Sequence, residues 1–287
     1  MSALFDQLRT RTMLSLTILF AIGASGMIIG CEDVVQVELN STEPKLVIEG
    51  KLLKYLNWWN FRITRTVDFY EPHEIIGVSG AMIIVKSDIG QVDTLYEFSP
   101  ESGLYGFKRD FAAVAGRTYF ATVTVEGTTY SATTTMPSLT LIDSLGFEYQ
   151  KGGGIGSVEK EGYRLHVYFR DLPNREDYAR VKLAKYAGGG FYTYSDYFLY
   201  DGRFSDGNEI DYDYFFDVFQ LTDDVSVELL SMDKAMYDYF LTLSEVAATE
   251  EGNSFDATPA NPNTNWSGGA LGYFGAFNSD VETATVR

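Results

Sequence analysis

Residues 191–219 concentrate the side chains best suited to binding. Twelve of these 29 residues are aromatic and seven are acidic, whereas Arg203 is the single basic residue among them. Carboxylate and amide oxygens are the ligands that Ca²⁺ prefers, and aromatic rings can line a site for sugar rings. The candidate calcium ligands are Asp206, Asn208, Asp211 and Asp213. The candidate contacts for a ligand or partner in this segment are Tyr192 and Tyr194.

The same segment also fits an ordinary half-buried strand. Aromatic and acidic side chains alternate, with Tyr212, Tyr214 and Phe216 on one side and Asp211, Asp213 and Asp217 on the other. Such alternation is typical of a strand between core and water. The spacing differs from that of an EF-hand, because Gly207 stands at the second position of the candidate loop rather than at the sixth. The sequence favours the strand, with Asp206-Gly207 as a hairpin turn, and keeps calcium binding as the alternative.

Trp58 and Trp59 form a second candidate contact site. Neighbouring residues of a strand point to opposite faces, so one indole is expected in the core and the other at the surface. An exposed tryptophan offers a platform for a carbohydrate, a peptide or a partner protein.

Catalytic chemistry has little support in the sequence. The chain has two histidines, His73 and His166, and lacks the Gly-x-Ser-x-Gly pattern around a serine nucleophile. Its 40 acidic residues could supply the paired carboxylates of a glycosidase-type enzyme, but nothing selects one pair. We therefore expect no enzymatic activity and keep an extracellular carboxylate-based hydrolase as an alternative.

The charge balance and the cysteine count exclude several kinds of protein. With 22 basic and 40 acidic residues the net charge is −18, so the chain lacks the basic surface that binds nucleic acid. A single cysteine allows neither an internal disulfide nor a cysteine-based zinc site. We expect no cofactor, apart from the calcium alternative.

The first thirty residues have the pattern of a signal peptide. Arg9 and Arg11 precede an uncharged, apolar run at residues 13–29. Ile28-Ile29-Gly30-Cys31 resembles the bacterial lipobox, which predicts cleavage after residue 30, lipidation of Cys31 and a linker at residues 31–44. The alternatives are a transmembrane helix at residues 13–29 and an ordinary buried thiol at Cys31.

Short runs of β-branched and aromatic residues, separated by Gly, Asn, Asp and Pro, predict strands in the first half of the chain. About seven strands in roughly a hundred residues are typical of an immunoglobulin-like sandwich, which we place at residues 45–138. Glu126-Gly127 predicts a tight hairpin, with Gly127 supplying a positive φ. Tyr119 lies where such sandwiches often carry a corner tyrosine whose hydroxyl ties a loop to a strand.

A domain boundary is predicted at residues 136–138, because Pro137 ends the last strand of the first half. Residues 139–287 are also β-rich, with two strands near 217–220 and 225–230 and two closing strands near 272–277 and 282–286. One helix is predicted near residues 232–248, capped by Ser231. The predicted fold class is mainly all-β, with an N-terminal immunoglobulin-like β-sandwich followed by a second β-rich domain that carries one helix.

Several segments, in order, resemble the domain of unknown function 4249 family. They are EPKLVIEG at 43–50, VSGA at 78–81, GLY at 103–105, GRTY at 116–119, YSA at 130–132, FRD at 169–171 and GALGYFG at 269–275. The resemblance covers most of residues 31–287. It implies an outer-membrane lipoprotein of Bacteroidetes that is produced alongside TonB-dependent transporters, with no established catalytic residues. Glu32-Asp33 also resembles the acidic export signal of surface-exposed lipoproteins in these bacteria.

These features predict a lipid-anchored accessory or ligand-binding protein of the outer membrane, exposed at the cell surface. We expect it to work with a TonB-dependent β-barrel transporter in nutrient capture. The alternatives are the extracellular hydrolase and a calcium-stabilised structural or adhesion module.

Overall fold

Strands dominate the described part of the chain, as the alternating side chains predict. The computed structural model describes residues 44–54, 58–67, 76–106, 113–152, 160–187, 190–193, 198–250 and 261–287. The predicted signal peptide and lipidation site Cys31 lie outside these residues, as does the linker up to residue 43.

The strands are β1 Leu46–Leu53, β2 Trp58–Arg65, β3 Met82–Ser87, β4 Val92–Glu97, β5 Leu104–Gly106, β6 Thr118–Val125, β7 Thr128–Thr135, β8 Ile142–Gln150, β9 Gly162–Arg170, β10 Tyr178–Ala187, β11 Gly190–Thr193, β12 Phe198–Asp201, β13 Glu209–Phe219, β14 Asp224–Met232 and β15 Leu271–Thr285. A 3-10 helix spans Gly202–Phe204, and the helix α1 spans Lys234–Glu250. The predicted class, mainly all-β and sandwich-like with one α-helix, is confirmed for the described residues.

Twelve of the strands form one large sheet, in the order β11-β10-β14-β15-β1-β2-β5-β4-β3-β6-β7 with β12 also paired to β10. The other three form a small antiparallel sheet in the order β13-β9-β8. Apolar side chains on the inner face of the small sheet share a core with those of β10, β12 and β14. The outer face of the small sheet is left for polar residues.

β15 joins the two halves of the large sheet. Residues 271–277 pair in parallel with β1, and residues 278–285 pair antiparallel with β14. The sequence predicts two closing strands here, whereas the structure has one. The polar residues Asn278 and Asp280 interrupt the apolar run, but β15 continues through them. Both side chains have hydrogen-bond partners, since Asn278 donates to the Pro137 carbonyl at 3.3 Å and Asp280 accepts the Ile142 N–H at 2.8 Å.

The apolar run of β15 is buried on both faces. Tyr273 and Phe277 belong to the core beneath α1, whereas Phe274 and Ala276 enter the core of the N-terminal half. Burial on both faces is what an uninterrupted apolar run in a strand indicates. Gly272 pairs with Ile48 at a φ of 90°, and a Cβ there would lie 2.3 Å from the Ile48 carbonyl oxygen, so only glycine fits.

The core of the N-terminal half is completed from the end of the chain. Trp266, Phe274 and Ala276 fill the same core as the apolar residues of β1 to β7. The Trp266 indole N–H donates to the Ile48 carbonyl at 2.9 Å. Residues Glu43–Arg287 form one compact unit. The predicted boundary at residues 136–138 falls in the connection between β7 and β8, and a division into two domains there stays a prediction.

Two local predictions in the N-terminal half are confirmed. Glu126 and Gly127 connect β6 and β7 with φ values of 49° and 82°, as a two-residue type I′ hairpin turn requires. The hydroxyl of buried Tyr119 accepts the Val114 N–H at 2.9 Å, so this corner tyrosine ties the preceding loop to β6.

The predicted cap of α1 is wrong, because β14 continues through Met232 and keeps Ser231 in the strand. Asp233 caps the helix instead, and its Oδ1 accepts the Met236 N–H at 3.0 Å. Its Oδ2 accepts the Thr134 hydroxyl at 2.7 Å and the Thr135 N–H at 3.0 Å. Asp233 therefore links the start of α1 to β7.

Candidate functional site

β13 borders two surface cavities on the C-terminal half of the chain. The larger, of about 630 Å³, has Arg170, Glu209 and Asp211 among its lining residues. The other, of about 410 Å³, is lined by the rings of Phe198, Tyr212, Phe215 and Phe216. Leu199, Leu241, Asp213 and Ser244 complete this second lining, and we call the eight residues the aromatic groove.

The alternation predicted along β13 ends at Tyr214. Tyr212 and Tyr214 are buried, but the pairing with β9 shifts register between Tyr214 and Phe219. Phe215 and Phe216 both reach the surface there, with 55% and 54% of their area exposed. The prediction that Phe216 lies on the core side is therefore wrong, because an irregular pairing changes the face to which the following residues point.

The four rings of the aromatic groove form two stacked pairs. The ring centroids of Phe215 and Phe216 are 4.4 Å apart, and those of Phe198 and Tyr212 are also 4.4 Å apart. Phe198 is 37% exposed, whereas Tyr212 is nearly buried and forms the floor. A cluster of exposed rings in a concave surface is typical of a ligand or partner site.

The groove takes its shape from three separate elements. Phe198 and Leu199 come from β12, whose pairing with β10 sets Phe198 opposite Val181. Leu241 and Ser244 come from α1, where the Ser244 hydroxyl donates to the Leu241 carbonyl at 2.7 Å. The position of the groove wall therefore depends on how α1 is held.

The outer face of the small sheet, beside the groove, carries a set of ion pairs. His166 Nδ1 lies 2.8 Å from Asp211 Oδ1, and His166 Nε2 lies 3.4 Å from a Glu148 carboxylate oxygen. Arg164 donates to Asp213 Oδ2 at 2.8 Å. A histidine oriented by a carboxylate can transfer protons, but within the described residues no hydroxyl or thiol is hydrogen-bonded to His166 Nε2.

The model of a protein family described as Domain of unknown function (DUF4249) matches residues 32–283. The chain belongs to the DUF4249 family. No curated protein matches this DUF4249 chain. Among solved structures, it is similar to the crystal structure of a DUF4785 family protein from Legionella pneumophila, at 12% identity over 61% of this chain and with a TM-score of 0.24. The DUF4249 chain spans 48% of that protein's length. In the described part of the DUF4249 chain, no helix has the length and apolarity to cross a membrane.

The four candidate calcium ligands of the DUF4249 chain lie in two places. Asp206 lies in a turn, where Gly207 has a φ of 75° and Asp206 Oδ1 accepts the Asn174 N–H at 2.6 Å. The predicted hairpin is wrong, because this turn joins the 3-10 helix to β13, and β12 and β13 pair with β10 and β9 rather than with each other. Asn208 follows this turn, whereas Asp211 and Asp213 lie along β13 and pair with His166 and Arg164. The described residues contain no group of three or more His, Cys, Asp or Glu side chains arranged to hold a metal ion. Calcium binding stays a prediction.

The aromatic contact candidates fall mostly outside the described residues. In β2, the backbones of Trp58 and Trp59 pair with Leu53 and Leu52 of β1, and in β11 the backbone of Tyr192 pairs with Lys185 of β10. The side chains of these three residues, and the whole of Tyr194 and His73, lie outside what the structure describes. The role of these residues in contacts stays a prediction.

Asp171 is a buried carboxylate that the sequence did not single out as a site. It is fully buried, next to the Asp177 carboxylate and the Tyr200 hydroxyl. Burial, and then the neighbouring Asp177 carboxylate, raise the pKa of Asp171 to about 6. Asp171 directly follows β9, a position at which an aspartate is normally in a turn exposed to water. Here the 3-10 helix covers it. Gly202 of that helix is so close that a Cβ on Gly202 would lie 3.0 Å from Asp171 Oδ1.

Proposed function

We propose that this DUF4249 protein is a lipid-anchored binding protein of the outer membrane that captures or presents a nutrient together with a TonB-dependent transporter. The observation that carries the proposal is the aromatic groove, because it leaves two stacked phenylalanine rings more than half exposed on a folded protein. The lipobox-like segment at Cys31 supports the anchor, and the family resemblance supports the partner.

The dimensions of the groove suit a ligand or a protruding side chain of a partner. Ligand sites in proteins commonly measure roughly 300–1,000 Å³ and combine apolar walls with a few polar groups. The groove has a volume of about 410 Å³ with six apolar or aromatic residues and two polar ones in its lining. Contacts to exposed aromatic rings commonly supply much of the binding energy of an interface.

In this proposal the lipid anchor and the aromatic groove lie in different parts of the chain and have complementary roles. Lipidation at Cys31 would hold the protein at the membrane while the folded part stays in water. The acidic composition, with a net charge of −18, also favours solubility and disfavours nonspecific adsorption to acidic polymers. We therefore assign binding to the folded part and location to the lipid.

The partner is tested by mild detergent extraction of the native lipidated protein, followed by affinity purification and identification of copurifying proteins. We expect a TonB-dependent β-barrel protein to copurify with the wild type. We expect much less of it with the Phe215→Ala/Phe216→Ala double variant, because the groove loses both exposed rings. Phe204→Ala is the matched control, since Phe204 is 86% exposed but lies outside the groove.

Two results would overturn parts of the proposal. If no β-barrel protein copurifies with the wild type, the partner is wrong. If the double variant and the Phe204→Ala control retain the partner equally, the groove is not where it binds. The anchor is tested separately by labelling with a fatty acid analogue, which Cys31→Ser should abolish.

A further inference from the structure

We propose that the aromatic groove selects organic cations that carry an apolar body, such as aryl- or alkylammonium groups. The inference rests on the proposed binding function and names the class of ligand at that same site. It is drawn from the charge of the groove lining, from the hydrogen bonds of its two polar residues and from the faces of its rings.

The lining of the groove has one charged group. Of its eight residues, Asp213 carries a charge and Ser244 carries a hydroxyl, and no basic residue is among them. The Ser244 hydroxyl already donates to the Leu241 carbonyl. A ligand that enters the groove therefore meets apolar surface and one carboxylate.

Asp213 keeps unused capacity to accept hydrogen bonds. Its side chain is 38% exposed, and its Oδ2 accepts one N–H from Arg164 at 2.8 Å. Its Oδ1 is buried, so Oδ2 is the carboxylate oxygen that a ligand can reach. Because each carboxylate oxygen can accept about two hydrogen bonds, an ammonium group that donates to Oδ2 adds to the Arg164 contact rather than displacing it.

The charges beside the groove favour a cation over an anion. Arg164 opposes a second positive charge near Asp213, but Glu148 and Asp211 lie on the same face of the small sheet and surround a histidine there. The Arg164 guanidinium is also engaged by Gln150 Oε1, at 2.9 and 3.1 Å from two of its nitrogens. In its described ion pairs, this face carries four carboxylates, of Glu148, Glu209, Asp211 and Asp213, against the two guanidinium groups of Arg164 and Arg170. An anionic ligand would therefore meet more carboxylates than guanidinium groups.

The rings of the groove add a second preference for positive charge. The face of an aromatic ring is electronegative and attracts ammonium and guanidinium groups within about 6 Å. Phe215, Phe216 and Phe198 are 55%, 54% and 37% exposed, so part of each ring is open to a ligand in the groove. The same rings bury the apolar body of the ligand, so an amphipathic cation uses both features.

The inference is tested with three probes that share one apolar body: 3-phenylpropylammonium, 3-phenylpropanol and 3-phenylpropionate. Binding to the full-length protein in detergent is measured by isothermal titration calorimetry at low and at moderate salt. We expect the ammonium probe to bind about tenfold more tightly than the alcohol and the carboxylate to bind most weakly. The preference should decrease as salt is added.

Three variants separate the contributions. Asp213→Asn should reduce the affinity for the ammonium probe to that for the alcohol. Arg164→Gln removes the same ion pair but keeps the carboxylate, so it should retain or increase the affinity for the ammonium probe. Asp211→Asn, two residues along β13 and outside the groove lining, should change the affinity much less.

Equal affinities for the ammonium and alcohol probes, or no effect of Asp213→Asn, would overturn the inference. If the alcohol still binds and Phe215→Ala/Phe216→Ala weakens it, the proposed binding function stands while the ligand class is wrong. If none of the three probes binds, the ligand class is again wrong. The copurification experiment then decides the proposed function independently.

Discussion

Asp233 connects the helix that forms one wall of the groove to the N-terminal half of the chain, so Asp233→Ala tests how the site is held. The carboxylate accepts three hydrogen bonds: from the Met236 N–H at the start of α1, and from the Thr134 hydroxyl and the Thr135 N–H of β7. Thr134 is 2% exposed and its hydroxyl oxygen also accepts the Ala276 N–H from β15. Removal of the carboxylate therefore leaves a buried donor without its acceptor.

The expected loss of stability follows from these contacts. The loss of an N-cap costs about 1 kcal/mol, and the loss of hydrogen bonds to a charged group costs about 1.5–3 kcal/mol. We expect Asp233→Ala to lower the free energy of unfolding by about 3 kcal/mol. For a chain of this length such a loss corresponds to a decrease in Tm of roughly 6–12 °C.

Thermal and urea unfolding, followed by circular dichroism, measure this loss. Asp238→Ala is the control, because Asp238 pairs with Lys234 at 2.6 Å on the exposed side of the same helix. An exposed pair of this kind contributes about 0.5 kcal/mol or less. A double-mutant cycle of Asp233→Ala with Thr134→Val isolates the link to β7, and we expect a coupling above about 1 kcal/mol.

The reasoning would be refuted if Asp233→Ala were no less stable than Asp238→Ala. A large loss with no coupling to Thr134→Val would mean that the Thr134 hydroxyl does not contribute to the link. The connection of α1 to β7 would then depend on the Thr135 N–H alone.

Three further predictions concern Asp171, β15 and the predicted domain boundary. The pKa of Asp171 is about 6 in the fold against an ordinary 3.8, so wild-type stability should fall by up to about 3 kcal/mol from this group as the pH rises from about 4 to 7. The free energy of unfolding of Asp171→Asn, measured by urea titration across this pH range, should not show that decrease. If the free energies of the two proteins changed with pH in parallel, the raised pKa of Asp171 would be contradicted. Gly272→Ala should abolish soluble folded protein, because its Cβ would lie 2.3 Å from the Ile48 carbonyl oxygen, whereas Gly269→Ala, at a φ of 80° with no atom within 4 Å, should cost only about 1–2 kcal/mol. Residues 43–138 expressed alone should lack a cooperative thermal transition, since Trp266 is missing from their core; such a transition would instead support the predicted two domains.

Local patterns predicted those elements whose partners are close in sequence. The β6–β7 hairpin needs only alternating side chains and a turn that accepts positive φ, and its turn lies at Glu126-Gly127 as predicted. The Tyr119 hydroxyl accepts a hydrogen bond from the N–H of Val114, five positions earlier, so the local sequence is also enough to predict this contact. The spacing of apolar residues predicts the helix but not its cap, because the end of β14 depends on its pairing with β10 and β15.

Composition directs attention to residues 191–219 but does not give the geometry of the groove. Six residues of this segment line the groove: Phe198, Leu199, Tyr212, Asp213, Phe215 and Phe216. The alternation nevertheless predicts Phe216 on the core side, whereas it is exposed. The alternation of side chains along β13 does not reveal the register shift, because the shift depends on how β13 pairs with β9. Leu241 and Ser244 could not be assigned to the site either, since α1 reaches the groove only through its packing on β15 and β10.

By itself, the sequence determined the mainly β class, the helix, the hairpin turn and the acidic, aromatic character of the segment that borders the groove. Tertiary structure decided that β15 joins both halves of the large sheet, that Trp266 completes a core more than two hundred residues away from Ile48, and that Phe215 and Phe216 face water. The physical reason is the range of the forces involved. Side-chain alternation and turn geometry act between near neighbours, whereas strand pairing across the chain is decided by which apolar surfaces can be buried together.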